Sequence, residues 1–163
     1  MPILEQIAVA TTLLNGAAVL SAAAIDLYTR KIPNIFVAVM LSCALVHAAV
    51  VAPGLILQHL LCGLYVGIVG VIFFQRKVLG GGDVKMIASL AVWFLPQQLM
   101  SFVIWVLIFG GVLSALYLAM IAVRLATERL APKVRLPKVD PAGGMAYGVA
   151  TACGFAFCAW KVL

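Results

Sequence analysis

Residues 99–123 read LMSFVIWVLIFGGVLSALYLAMIAV, 25 residues without a charge or a proline. At 1.5 Å per residue such a run makes a helix of about 37 Å, enough to cross the roughly 30 Å hydrocarbon core of a bilayer. It is apolar on every face, so water is a poor solvent for it. Similar runs lie on either side, at 7–25, 35–52, 55–74, 84–95 and 143–160. Across 163 residues the chain is 66% hydrophobic and only 10% charged, and its mean hydropathy is +1.20. That composition excludes a soluble domain of this size, because too little polar surface exists to cover the outside. The expectation is an all-α, polytopic membrane protein: a single bundle of about six transmembrane helices over 1–163. The fourth run, 84–95, makes only about 18 Å of helix, so it must start within the membrane depth, continue past Pro96, or sit in a thinned bilayer.

Of the 11 Lys and Arg residues, all but Lys161 fall on alternate connections: Arg30 and Lys31; Arg76, Lys77 and Lys85; then Arg124, Arg129, Lys133, Arg135 and Lys138. By the positive-inside rule these connections face the cytoplasm and both termini lie outside. The formal charge of +6 is thus a loop charge suited to the lipid bilayer and its anionic headgroups, with no nucleic-acid partner implied. The first helix reads as uncleaved. Glu5 precedes it and Arg30-Lys31 follow it, the reverse of a secretory signal's flanks, although Ala22-Ala23-Ala24 imitates a cleavage site. The stretch 124–144 carries Pro132, Pro137 and Pro141, which argues for a loop along the membrane surface rather than a continuous helix. The four cysteines form no C-x-x-C pair, so they read as packing residues and not as a zinc site or a disulfide framework.

Only five residues are acidic: Glu5, Asp26, Asp83, Glu128 and Asp140. Asp26 closes the first apolar run and Asp83 opens the fourth. By the alternation of spans they share one membrane face, at a depth where an ionisable group is costly unless paired or used. Taken alone, Asp26 could be held by Arg30 or Lys31, and Asp83 could cap the fourth helix. Before Asp83 stands Gly80-Gly81-Gly82. Glycines permit close backbone approach, which beside a carboxylate suits a cleft for a peptide and otherwise suits a turn.

These residues resemble a family. Gly80-Gly81-Gly82-Asp83-Val84-Lys85 fits the G-x-G-D-x-K pattern of type IV prepilin peptidases. Asp26-Leu27-Tyr28-Thr29-Arg30-Lys31-Ile32-Pro33-Asn34 is similar to the region of that family's first aspartate, with a basic residue and Ile-Pro-Asn after it. The likeness runs through the sixth helix, where Ala146-Tyr147-Gly148 departs from a frequent Pro-Tyr-Gly. The short chain resembles the compact form that serves Flp or tight-adherence pili, without the C-x-x-C domain associated with zinc and methyl transfer.

The resemblance implies an aspartic endopeptidase of the bacterial inner membrane. Its substrates would be prepilins and pseudopilins, cut on the cytoplasmic side just before the apolar helix that stays in the membrane. Asp26 and Asp83 would be the catalytic pair, with Gly80, Gly82, Lys85 and Asn34 in support. Two close carboxylates do not both ionise readily, so one can serve as base and the other as acid on a bound water. That chemistry needs no metal or organic cofactor. Asn34 reads as the N-cap of the second helix behind Pro33, fixing the chain after Asp26; Lys85 either holds the loop or is simply an inside lysine. His47 and His59 lie toward the outer ends of their spans and read as packing or interfacial residues, and no Ser/His/Asp or H-E-x-x-H arrangement is present. Two readings from other classes remain: a small transporter or proton channel with the aspartates as ion sites, and a non-catalytic membrane subunit of pilus assembly.

Overall fold

The protein is described by a computed structural model covering residues 2–130 and 147–162. It has six helices, and no strand occurs among the described residues. They are α1 (Ile3–Thr29), α2 (Asn34–Val51), α3 (Ile56–Gln75), α4 (Gly81–Ala91), α5 (Pro96–Leu130) and α6 (Tyr147–Val162), with one 3-10 turn, Pro53–Leu55, leading into α3. The all-α membrane architecture expected from the apolar runs is what is found. Four helices, α1, α2, α3 (taken with its 3-10 turn) and α5, are long and apolar enough to cross a bilayer. α4 has 11 residues, about 16 Å, roughly half the length needed to cross the hydrocarbon core. All four cysteines are free thiols.

α4 lies at the centre. It packs on α2, α3 and α6, and Met86, Leu90 and Ala91 are fully buried. The next four residues, Val92, Trp93, Phe94 and Leu95, turn the chain into α5, and Phe94 stacks on Phe102 of α5 with ring centroids 4.8 Å apart. Glycines recur on the face of α3 toward α4. A Cβ at Gly63 would overlap Cγ2 of Val92 and lie 3.2 Å from the Ala88 carbonyl oxygen, and one at Gly70 would lie 2.7 Å from Cγ1 of Val84. Helices in lipid associate by such close approach, since burying apolar surface gains nothing against an apolar solvent. Gly63→Ala is therefore expected to lower the stability of the bundle by about 1–3 kcal/mol, read by thermal unfolding in detergent, and Val92→Ala in the same chain to restore most of the loss.

α6 pairs antiparallel with α5. Tyr147 lies against Gly110, Gly154 against Val106, and Phe157 against Trp105, whose ring centroid is 4.0 Å away. This pairing covers α5 up to Gly110. Beyond it, over residues 111–127, no residue of α5 is buried. The expected loop at 124–144 is corrected in its first part, because Arg124 to Leu130 continue α5 as helix. The reason is local: R-L-A-T-E-R-L contains mostly good helix formers, and the first breaker is Pro132. Residues 131–146, with the remainder of that loop, lie outside the described residues.

Candidate active site

Asp26 sits one turn before the end of α1. The helix closes on Arg30, which takes a left-handed conformation (φ 53°) and donates its backbone N–H to the Asp26 carbonyl oxygen at 2.9 Å. The following turn runs through Ile32 and Pro33 into α2. Pro33, not Asn34, caps α2, and Asn34 is its first helical residue. The expected capping role of Asn34 is thus corrected. Its side-chain oxygen instead accepts a hydrogen bond from Lys85 Nζ at 3.2 Å, which ties the start of α2 to α4.

α4 begins earlier than its apolar pattern suggests, with Gly80 as N-cap and Asp83 as the third helical residue. Asp83 is not the cap. It reaches back to the Gly80 backbone, as an acid at this helix position does in one half of a capping box. A Cβ at Gly80 would lie 2.7 Å from Asp83 Oδ2, and a Cβ at Gly82 would lie 3.3 Å from Cβ of Ile32. The two glycines therefore do different things: Gly80 leaves room for the carboxylate, and Gly82 lets the turn after Asp26 settle on the first turn of α4.

The two motifs, more than fifty residues apart in sequence, meet through Gly82 against Ile32 and Lys85 against Asn34. Asp26 and Asp83 line the same two cavities. The larger, about 1100 Å³, runs between α3 and α5 and is walled by Phe73, Phe74, Leu79, Val103 and Leu107. The smaller, about 340 Å³, is polar and carries Arg30, Lys31 and Lys85.

Asp26 is only 5% exposed. Its Oδ2 accepts a hydrogen bond from the Gly148 N–H at 3.0 Å, and a Cβ at Gly148 would lie 2.9 Å from that same oxygen. In the sequence Tyr147-Gly148 stands out only as part of a departure from a pattern, and nothing there marks this donor. A backbone N–H has no side-chain signature; the sole hint was the Tyr-Gly pair at the head of an apolar run.

Asp83, half-buried in the first turn of α4 and outside the four spanning helices, has its carboxyl pushed up to about 6. Burial is the main cause, the charge of Asp26 adds to it, and the hydrogen bond from the Gly80 backbone opposes both. The sign for stability follows. The folded state holds this proton more tightly than the unfolded chain, whose carboxyl titrates near 3.8, so the contribution of Asp83 to stability falls as pH rises from about 4 to about 6 and is level above. Asp26→Asn removes the like charge, and the Asp83 midpoint is expected to drop below 6 while burial keeps it above 3.8. Titration of ¹³C-labelled aspartate by NMR measures this, and an unchanged midpoint would show that the two carboxylates do not interact.

Among the described residues no group of three or more His, Cys, Asp or Glu side chains is placed to hold a metal ion. The histidines stand apart from the aspartates. His47 stacks on Trp93 with ring centroids 4.4 Å apart, and His59 meets the Val92 carbonyl oxygen at 2.9 Å.

A family model described as the type IV leader peptidase family matches residues 13–115. That stretch contains both aspartates, the glycine run, Asn34 and Lys85, and ends before α6. No curated protein and no solved structure matches the chain.

Proposed function

The chain belongs to the type IV leader peptidase family, and from that premise we propose that it is an aspartic endopeptidase. It removes the leader of prepilins or pseudopilins at the cytoplasmic face of a bacterial inner membrane. The single observation that carries the reading is the convergence of Asp26 and Asp83 on shared cavities, close enough for the charge of one to act on the proton of the other.

The chemistry is that of a coupled pair. The ionised carboxylate takes a proton from a water held between the two, the resulting hydroxide attacks the scissile carbonyl, and the protonated carboxyl donates to the carbonyl oxygen as negative charge develops there. Gly148 orients Asp26 through its N–H, and Gly80 leaves Asp83 its space. Lys85 and Asn34 hold the two motifs together. The apolar walls of the larger cavity suit the hydrophobic segment that follows a prepilin leader. The polar cavity with its three cations agrees with a cytoplasmic opening, since ten of the 11 basic residues fall on the connections of this side. Prepilins of the Flp type are the substrates proposed.

The test is reconstitution in liposomes with a prepilin-type substrate spanning the leader junction, scoring leader release and ion flux together. Leader release without dissipation of an imposed ion gradient is expected. Flux without cleavage would replace this reading with that of a transporter or channel.

A further inference from the structure

α4 carries Asp83 in its first turn and ends about 12 Å away at Ala91, eight residues of 1.5 Å each, with Val92 as its C-cap. A helix this short has few of its own hydrogen bonds, and the carbonyls of its last turn have no partner within it. At membrane depth, water is not at hand to satisfy them. The ring of His59 does so for Val92: its Nδ1 lies 2.9 Å from the carbonyl oxygen, and the side chain is 6% exposed. A carbonyl only accepts, so Nδ1 carries the proton. Around this bond the end of α4 is held from three sides. The side chain of Val92 enters the space left by Gly63 of α3. Trp93 stacks on His47 of α2 at an interplanar angle of 21°, and His47 Nδ1 lies 3.3 Å from Thr11 Oγ1 of α1.

We propose that His59 is a positioning residue for Asp83: by anchoring the Val92 carbonyl it sets how far α4 is inserted along the glycine face of α3, and so where the carboxylate stands relative to Asp26. This rests on the peptidase reading. A stiff helix passes an axial shift at one end to the other almost undiminished, and Asp26 cannot follow, since it is buried and tied to Gly148. Displacements near 1 Å cost about 10²-fold in rate at an active site.

The experiment compares His59→Ala, His59→Asn and His59→Gln in the full chain. The asparagine amide nitrogen stands where Nδ1 does, one bond beyond Cγ, and can still donate to Val92; the glutamine nitrogen is one bond further out. His59→Ala and His59→Gln are expected to lower kcat for leader release by about tenfold or more with KM within about twofold, and His59→Asn to recover kcat to within about threefold of wild type. The Asp83 titration, followed by ¹³C NMR without substrate, should shift in His59→Ala and return in His59→Asn. Wild-type kcat in His59→Ala, or equal losses in the alanine and asparagine variants that track a lowered thermal midpoint, would overturn the proposal. If wild type cleaves no prepilin, the peptidase reading fails alone, and the titration still decides: an Asp83 midpoint indifferent to His59 overturns the positioning role.

Discussion

Asp26→Asn and Asp83→Asn are each expected to reduce leader cleavage by roughly 10³-fold or more, and the double replacement to be scarcely worse than either alone. Asparagine keeps the shape of aspartate and, at position 26, an oxygen that can still accept from the Gly148 N–H. The replacement therefore removes charge and proton exchange with little disturbance of packing. General acid–base steps contribute about 10²–10⁴-fold, and under the proposed mechanism both carboxyls act in the same event, so the losses should not add. Asp140→Asn, at a position outside the described residues, is expected to be mild. Co-expression with a prepilin, scored by the mobility shift of leader removal and by fractionation to confirm membrane insertion, decides the matter. Near wild-type cleavage in either of the first two variants would falsify the pair.

Gly148→Ala is expected to have the next largest effect, about 10²-fold on kcat. The added Cβ would stand 2.9 Å from Asp26 Oδ2 and 3.3 Å from its Cβ and Cγ. Asp26 is only 5% exposed and its Oδ2 is the atom bonded to Gly148, so the carboxylate must turn and the hydrogen bond from residue 148 must lengthen. Gly80→Ala offers the comparison. Its Cβ would come within 2.7 Å of Asp83 Oδ2, but Asp83 is only half-buried and can swing toward the open cavity, so a smaller loss of about tenfold is expected. Steady-state kinetics on the two variants measure the order. A Gly148→Ala enzyme at wild-type kcat would remove Gly148 from the site.

Much of this was legible beforehand, for identifiable reasons. Spanning helices announce themselves because lipid demands unbroken apolar runs, and charges mark their ends. That rule misplaced several boundaries, and two of them are instructive. α5 runs on through Arg124 because a basic residue is no obstacle to a helix, only to its burial. α4 starts at Gly81, where propensity opposes helix, because the packing of Ile32 on Gly82 and the reach of Asp83 to Gly80 outweigh it. The aspartates and their flanking residues could be found by pattern. The Gly148 N–H could not, nor could the bond from His59 to a main-chain oxygen, since each depends on which backbone atom three-dimensional packing brings near.

The length of α5 leaves the molecule with a stepped girdle. On the α1 flank the apolar run stops at Asp26, whereas on the α5 flank residues 111–123 carry it about 20 Å further along that helix's own axis, past the level where Tyr147 meets Gly110. Acyl chains that follow both flanks must slope, or α5 must lean, and its Gly110-Gly111 pair, with the Ser114 hydroxyl donating back to the Gly110 carbonyl at 2.8 Å, is where such a helix bends. Either way the two carboxylates lie where an oily cleft meets a cationic one, so under the proposed reading a half-greasy, half-charged polypeptide could lie across them with each part in the phase it prefers.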